Sequence, residues 1–200
     1  MKARIFILVV SLLINSCSED PGLQPLSASA SILAFGDSLT AGNGAPSEGS
    51  YPAQLARLLN RTVINAGVSG EESSEGLARL EGLLEQHRPQ LLILCHGGND
   101  LLRKRPVSQL ESNLRQMITM ARSRGIEILM LGVPAPGIFL SSEEVYEEVA
   151  DELGVAFIPD VVADVLSEPA LKSDTVHPNE AGYGEMAAAI FSELQKLGAI

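Results

Sequence analysis

Basic residues and aromatic residues are both scarce in this 200-residue chain. Its 14 lysines and arginines stand against 25 aspartates and glutamates, which gives a formal net charge of −11 at pH 7. Because nucleic-acid-binding surfaces are basic, this balance argues against a nucleic-acid partner, and it gives no reason to expect attraction to anionic lipid. Only 4% of the residues are aromatic and tryptophan is absent, which counts against a carbohydrate site built from aromatic faces.

Cysteine frameworks and metal-ligand patterns are also lacking. The chain has two cysteines, Cys17 and Cys95, and they form neither a disulfide framework nor a spaced metal site. Its three histidines are scattered without metal-ligand spacing, so we expect no metal. No P-loop or dinucleotide fingerprint is present, and we expect no cofactor. Cys95 closes an apolar run that begins at Leu91, which predicts a small buried strand residue.

The first 16 residues have the pattern of a secretion signal. Two basic residues precede the apolar run Ile5 to Ile14, which is shorter than the roughly 20 residues that a membrane-spanning helix needs. The run is followed by a small residue directly before Cys17, an arrangement that resembles the bacterial lipobox. This resemblance implies cleavage before Cys17 and lipid attachment to its thiol. The alternative is an ordinary cleaved signal, since Asn15 is less usual in a lipobox.

Residues 17–29 are predicted to be a tether and residues 30–200 a single folded domain. Pro21, Gly22 and Pro25 give the tether the composition of a flexible linker. The signal and the tether together predict an exported lipoprotein on the periplasmic or cell-surface side, held at a membrane through the N-terminal anchor alone. We expect a monomer, because nothing in the sequence requires a partner chain.

Strand and helix patterns alternate along the domain. Short apolar runs predict strands over Ile32–Phe35, Thr62–Ala66, Leu91–Cys95, Ile126–Leu131 and Val155–Ile158. Apolar residues at helical spacing predict helices over Ser50–Leu59, Ser74–His87, Ser108–Arg124, Ser141–Leu153 and Glu180–Leu197. A serine cap, Ser141 or Ser142, is expected to begin the fourth of these helices. The alternation is typical of an α/β fold in which a parallel sheet has helices on both faces.

The domain is organised around the serine that follows its first strand. The apolar run Ile32 to Phe35 ends abruptly at Gly36-Asp37-Ser38. In open α/β sheets, ligands bind in the crevice outside the carboxyl ends of the strands. A hydroxyl there can meet a substrate while its own backbone N–H points into the same crevice. From this stretch alone, a serine in a polar turn is the simpler interpretation.

Polar residues near the ends of later elements supply the other groups that acyl transfer requires. A serine is a weak nucleophile until a base takes its proton, and His177 is the candidate base. Asp174, three residues earlier, can hold the imidazole in the correct tautomer. The N–H groups of Ser38 and Gly70 and the side-chain amide of Asn99 can stabilise the developing oxyanion.

Four motifs collect these residues in a fixed order. They are GDSL at Gly36–Leu39, NAGVSG at Asn65–Gly70, GGND at Gly97–Asp100 and DTVHPN at Asp174–Asn179. In this order they resemble the GDSL, or SGNH, hydrolase family, and most closely its bacterial thioesterase I and lysophospholipase-type esterases. The resemblance covers about residues 31–197 and implies a three-layer α/β/α sandwich around a five-stranded parallel sheet in a flavodoxin-like order. No G-x-S-x-G sequence is present, which argues against the ordinary α/β-hydrolase elbow.

The resemblance also implies the roles of the individual residues. It makes Ser38 the nucleophile, Asp174 and His177 its triad partners, and Gly70 and Asn99 the oxyanion donors that act with the Ser38 amide. It implies no metal.

Three further polar residues near these motifs have less specific interpretations. We expect Asp37 and Asp100 to brace turns through backbone hydrogen bonds rather than to take part in chemistry. For His96, a pocket-lining role and a structural role both remain open.

The substrate is less well defined by the sequence than the chemistry. The core elements leave no inserted lid, so we expect an open groove, in which Ile138 and Phe139 contact an acyl chain or simply pack within their loop. An open groove fits the activity that the resemblance implies, a serine esterase that forms an acyl-enzyme from acyl or aryl esters and also from thioesters or lysophospholipids. The alternatives are a carbohydrate O-acetylesterase and a surface binding module that keeps the fold without turnover.

Overall fold

The computed structural model describes residues 22–137 and 140–200. Within these ranges the strands are β1 (Ser31–Gly36), β2 (Thr62–Gly67), β3 (Leu91–Cys95), β4 (Glu127–Leu131) and β5 (Ala156–Ile158). They form one parallel sheet with the spatial order β2-β1-β3-β4-β5. The predicted α/β class and the flavodoxin-like strand order are both confirmed.

The central strands are continuously hydrophobic because both of their faces are covered. Every residue of β3 is buried, and β1 is buried from Ile32 to Gly36. Unbroken apolar runs of this kind are typical of parallel strands that lie between two helical layers. β2 lies at an edge of the sheet, and Ala66 is its one buried residue. The core therefore lies against β1, β3 and β4, and three of the four motifs lie at the carboxyl ends of β1, β2 and β3.

Helices cover both faces of the sheet. In the described ranges they are α1 (Ser38–Ala41), α2 (Tyr51–Leu59), α3 (Ser73–His87), α4 (Gly98–Leu102), α5 (Val107–Arg122), α6 (Glu144–Leu153), α7 (Val161–Ser167) and α8 (Glu180–Lys196). α2, α7 and α8 pack together as one layer, and α3, α5 and α6 as the other. This arrangement confirms the three-layer α/β/α sandwich. None of the helices described is long and apolar enough to cross a membrane.

Two local predictions were wrong. α6 begins at Glu144, and neither Ser141 nor Ser142 caps it. The backbone N–H of Ser142 instead donates to the Asp160 side chain at 3.0 Å, and Ser142 forms an isolated bridge with Pro134. α7 lies in a stretch for which no element was predicted. Contacts between distant parts of the chain determine both features.

Residues 22–29 are packed against the domain, although residues 17–29 were predicted to be a flexible tether. Leu23 and Leu26 are buried in the main core. Their backbone N–H groups donate to the carbonyls of Leu197 and Ala199 at 3.2 and 2.8 Å. The leucines give this stretch an apolar face that pairs with the end of the chain, so the folded domain begins earlier than residue 30. The predicted signal (1–16) and the predicted lipidation site at Cys17 lie outside the described residues.

Candidate active site

The carboxyl edge of the sheet brings together the five residues that the motifs singled out. Ser38 is the first residue of α1, directly after β1, and Asn99 lies in α4, directly after β3. Gly70 lies in the turn after β2, with φ +80°, a conformation that favours glycine. Asp174 and His177 lie in the loop that precedes α8. Residues separated by up to 139 positions in the sequence therefore share one site.

Ser38, His177 and Asp174 form a continuous hydrogen-bonded chain. The Ser38 Oγ lies 3.0 Å from His177 Nε2, and His177 Nδ1 lies 2.8 Å from Asp174 Oδ2. Because a carboxylate only accepts, Nδ1 carries the ring proton and Nε2 is left to accept from the serine hydroxyl. This is the tautomer in which a histidine can act as a general base toward Ser38.

Asp174 is fixed by its own loop, although its side chain is 55% exposed. The Oδ1 atom accepts the backbone N–H groups of Val176 and His177, each at 2.8 Å. Partial burial alone would raise the pKa of Asp174, but the His177 ring and the two N–H groups together lower this pKa below its ordinary value. The carboxylate is therefore ionised at neutral pH, as it must be to orient the imidazole.

Three N–H groups near the carboxyl ends of β1, β2 and β3 are candidate donors to an oxyanion. The backbone N–H groups of Ser38 and Gly70 donate to no residue in the described part of the chain. The Asn99 Nδ2 group donates one hydrogen to the Glu71 carbonyl at 3.0 Å, which leaves its second hydrogen free. Free N–H groups of this kind are what the developing oxyanion of acyl transfer requires.

Two buried aspartates brace the loops that carry these donors. Asp37 accepts the N–H groups of Leu39 and Gly98, both at 3.1 Å, and thereby links the loops that follow β1 and β3. Asp100 accepts the N–H and the hydroxyl of Ser73 at 2.8 and 2.7 Å, and thereby links α4 to the start of α3. The predicted bracing role is confirmed for both residues.

Burial has an electrostatic consequence for Asp37. The side chain is almost completely buried, and this burial raises the pKa of Asp37 above its ordinary value. The nearby His96 ring and the two N–H groups that donate to Asp37 lower this pKa, but they offset only part of the effect of burial. The carboxyl group lies behind the nucleophile and is sealed from solvent, which suits a structural role.

An apolar cleft opens beside Ser38 and His177. Asp37, Ser38, Thr175 and His177 form the polar part of its lining. Most of the lining is hydrophobic: Leu39, Leu102, Val133, Pro134, Ala135, Pro136, Leu140, Val162, Leu166 and Val176. The cleft continues past Leu102, Leu140 and Leu166 into a wider hollow that reaches Lys172. A linear aliphatic chain attached at Ser38 would find hydrophobic contact along this path.

The cleft differs in part from the groove that the sequence predicted. Pro134, Ala135, Pro136 and Leu140 form one wall. Ile138 and Phe139, the predicted acyl contacts from the same loop, lie outside the described residues. A second wall comes from α7, through Val162 and Leu166. Sequence reasoning missed these two residues, because α7 itself was not predicted.

Two other residues that the sequence singled out are structural. His96 is fully buried, with Nε2 3.1 Å from Glu71 Oε2, and it is absent from the residues that line the cleft. The structural interpretation of His96 is therefore the correct one. Cys95 is a free, fully buried strand residue, as predicted.

Comparison with known proteins identifies a family. Residues 34–184 match the model of the GDSL-like lipase/acylhydrolase family. An arylesterase of Vibrio mimicus is 33% identical over 180 residues, which cover 84% of this chain and 90% of the relative. The thioesterase 1/protease 1/lysophospholipase L1 of Escherichia coli K12 is 32% identical over 178 residues, which cover 85% of this chain and 86% of the relative.

A solved structure agrees with these sequence matches. The crystal structure of TesA is 31% identical in sequence and superposes with a TM-score of 0.77. The superposition covers 84% of this chain and 99% of that chain, so the similarity extends over the whole sandwich.

Proposed function

The chain belongs to the GDSL-like lipase/acylhydrolase family and is a serine esterase, and we propose that Ser38, His177 and Asp174 are its catalytic triad. The observation that carries this assignment is the hydrogen-bonded chain that runs from Ser38 Oγ through His177 to Asp174. It opens directly on the apolar cleft. A nucleophile, a base and an orienting carboxylate stand there in the order that acyl transfer requires.

The reaction proceeds in two halves through an acyl-enzyme. Ser38 Oγ attacks the ester carbonyl while its proton passes to His177 Nε2, and the carbonyl π electrons move to the oxygen. The bond to the leaving alcohol then breaks, and the alkoxide takes the proton from His177. Water repeats the sequence against the acyl-enzyme, with His177 again as base, and releases the carboxylic acid and free Ser38. Asp174 stays ionised and stabilises the imidazolium in both halves.

Ser38, Gly70 and Asn99 supply the oxyanion hole in this mechanism. Each tetrahedral intermediate places a negative charge on the former carbonyl oxygen, and the three N–H donors stabilise this charge. Removal of one such donor typically lowers kcat by about 10²- to 10³-fold. The Ser38 and Gly70 N–H groups and the second hydrogen of the Asn99 amide have no acceptor among the described residues, so little reorganisation is needed.

The acyl part of the substrate occupies the apolar cleft, and the leaving group faces solvent. The hydrophobic lining favours acyl chains longer than acetyl, and the open end beyond Leu140 places no close limit on their length. Thioesters and lysophospholipids join acyl and aryl esters as substrates, a range supported by a relative named thioesterase 1/protease 1/lysophospholipase L1. Ile138 and Phe139 stay predicted acyl contacts.

An exported, lipid-anchored esterase fits the N-terminal sequence. Residues 1–16 act as the signal, and Cys17 becomes the lipidated residue after cleavage. The anchor would place the active site at a membrane surface on the periplasmic or cell-surface side. Incorporation of radiolabelled palmitate into the wild type and its loss in Cys17→Ala test this step. An unlabelled wild type would rule out the anchor.

Hydrolysis of p-nitrophenyl esters tests the proposed function. Acetate, butyrate, octanoate and palmitate are compared for the wild type and Ser38→Ala, which should lose several orders of magnitude in kcat. We expect the wild type to hydrolyse the longer esters faster than the acetate ester. A strict preference for acetate would favour the carbohydrate O-acetylesterase, and binding of esters without turnover would favour the binding module. Unchanged activity in Ser38→Ala would overturn the triad.

A further inference from the structure

Arg79, Glu71 and His96 form a buried polar cluster beneath the oxyanion donors, and the mechanism above gives none of their side chains a role. Arg79 Nε and Nη2 each donate to a Glu71 carboxylate oxygen at 2.6 Å, and His96 Nε2 lies 3.1 Å from the same carboxylate. The side chain of Glu71 is 6% exposed and that of His96 is 0% exposed. Buried charges are costly unless fully paired, so these bonds fix the three side chains firmly. We call them the Arg79 cluster.

Arg79 also ties together the ends of two strands. Its Nη2 donates to the carbonyls of Gly36 at 3.2 Å and Ala66 at 2.9 Å. Its guanidinium lies over the Phe35 ring, 4.3 Å from the centroid, which adds a cation–π contact. One side chain therefore joins β1, just before the nucleophile, to β2 and to the turn that follows β2.

His96 extends the cluster to the third motif. The Gly97 N–H donates to His96 Nδ1 at 2.9 Å, so Nδ1 is an acceptor and Nε2 carries the proton that is donated to Glu71. The Tyr146 hydroxyl donates to the His96 carbonyl at 2.8 Å. Gly97 begins the turn that carries Asn99, and its φ of +107° suits glycine. The ring thereby fixes the direction in which this turn leaves β3.

Glu71 connects the cluster to the donors themselves. The backbone carbonyl of Glu71 accepts a hydrogen bond from the Asn99 side-chain amide at 3.0 Å, and Gly70 directly precedes Glu71 in the chain. A shift of the Glu71 side chain would therefore move one donor directly and change the orientation of the other. A misplacement of about 1 Å in a catalytic group can cost on the order of 10²-fold in rate.

We propose that Arg79, Glu71 and His96 are positioning residues that hold Gly70 and Asn99 in the geometry that binds the oxyanion. The inference rests on the oxyanion roles proposed above for Gly70 and Asn99. The Arg79 cluster touches no substrate atom in this account. It acts by keeping three loops from different strands in one fixed relation.

A double-mutant cycle with Asn99 tests the proposal. The Arg79→Met substitution is made in the wild-type protein and in Asn99→Ala, and kcat and KM are measured with p-nitrophenyl butyrate. In the wild type we expect kcat to fall by about 10- to 100-fold with KM changed by less than about threefold, because the donors act on an oxyanion that forms only after binding. In the Asn99→Ala background, the fold loss of kcat caused by Arg79→Met should be about fivefold smaller, because one of the positioned donors is already absent.

Two further variants separate positioning from folding. Arg79→Lys keeps the charge and one donor, so it should recover part of the kcat that Arg79→Met loses. Arg115→Met is the matched control, because the Arg115 side chain is also 26% exposed and is also paired with carboxylates, those of Glu111 and Glu152. This control should keep the wild-type kcat. Thermal unfolding identifies folded variants, and His96→Gln replaces Arg79→Met in the cycle if the latter does not fold.

The outcomes distinguish the cluster from the mechanism. Equal losses of kcat in both backgrounds, or a loss that appears only in KM, would overturn the positioning role and leave the esterase mechanism intact. An Asn99→Ala variant with wild-type kcat would overturn the oxyanion assignment and the positioning role together.

Discussion

Residues 22–137 and 140–200 contain two histidine–carboxylate pairs, which differ in exposure and in what they contact. The side chains of His177 and Asp174 are 19% and 55% exposed, whereas those of His96 and Glu71 are 0% and 6% exposed. The exposed pair ends on the Ser38 hydroxyl, the proposed nucleophile. The buried pair ends on the Gly97 N–H, which cannot give up its hydrogen to the ring. The same two residue types therefore supply a movable proton in one place and a fixed scaffold in the other.

The difference shows what a histidine needs in order to be a catalytic base. One of its nitrogens must be held while the other faces a group that can lose a proton, and the ring must have access to solvent or substrate. His177 satisfies both conditions through Asp174 and Ser38. In His96 both nitrogens are committed to fixed bonds, and no substrate can reach the ring.

Replacing the exposed histidine should have the largest effect of any change to the two pairs. His177→Gln removes the base, so kcat for p-nitrophenyl butyrate should fall by about 10⁵- to 10⁶-fold, as expected for a triad histidine. Its melting temperature should stay close to that of the wild type, because the ring is at the surface. A His177→Gln enzyme with more than about one hundredth of the wild-type kcat would contradict the comparison.

Replacement of Asp174, the carboxylate that orients His177, should have the second-largest effect. Asp174→Asn keeps the shape of the side chain, but its amide NH2 group can donate to His177 Nδ1, where the carboxylate accepts. This favours the tautomer of His177 in which Nε2 carries the proton and cannot act as the base. We expect kcat to fall by about 10³- to 10⁴-fold, measured on the same ester, with little change in KM. Asp164→Asn, an acidic position on α7, serves as the control and should keep the wild-type rate. Equal rates for the two variants would exclude an orienting role for Asp174.

Much of the exposed pair could be predicted from the sequence, because its signals are local. The spacing of Asp174 and His177 places both in one loop, and the buried runs of β1 and β3 mark where Ser38 and Asn99 must follow. Strand alternation then places these ends at one edge of the sheet. The fold and the catalytic residues follow from short segments and their order.

The buried pair could not be predicted, because its partners are distant in the chain and no motif marks them. Glu71 and His96 are 25 positions apart, and either one alone has the composition of an ordinary turn or strand end. The second cleft wall escaped prediction for a similar reason. α7 has seven residues, too few to show a clear helical period, and its position depends on packing against α8.

Removing the buried carboxylate should cost stability in a pH-dependent way. Burial alone would raise the pKa of Glu71, but the His96 and Arg79 bonds lower it below its ordinary value. A lowered folded-state pKa stabilises the fold above the unfolded-state pKa, and this contribution is lost as the pH falls through the folded-state value. The free energy of unfolding of Glu71→Gln should therefore be about 2–4 kcal/mol lower than that of the wild type at pH 7.

Urea unfolding from pH 7 down to about pH 3 would measure this effect, since glutamate in an unfolded chain titrates near 4.3. The difference between the wild type and Glu71→Gln should shrink as the pH falls below that value. Arg115→Met gives the control for loss of an ion pair elsewhere on the surface. A difference that stays constant over the whole range would show that the Glu71 charge contributes nothing to stability.

The smallest expected effect concerns the stability contributed by the exposed pair. The pKa of Asp174 is also lowered, so the sign is the same as for Glu71, and any contribution is present at neutral pH and lost in acid. Solvent screens a carboxylate that is 55% exposed, so Asp174→Asn should change the free energy of unfolding by less than about 1 kcal/mol at pH 7. The residue needed most for orientation of the base should thus matter little to the fold. If urea unfolding instead showed Asp174→Asn to be as destabilised as Glu71→Gln, burial would not be what separates the two pairs, and the loop of Asp174 and His177 would have to count as part of the structural core.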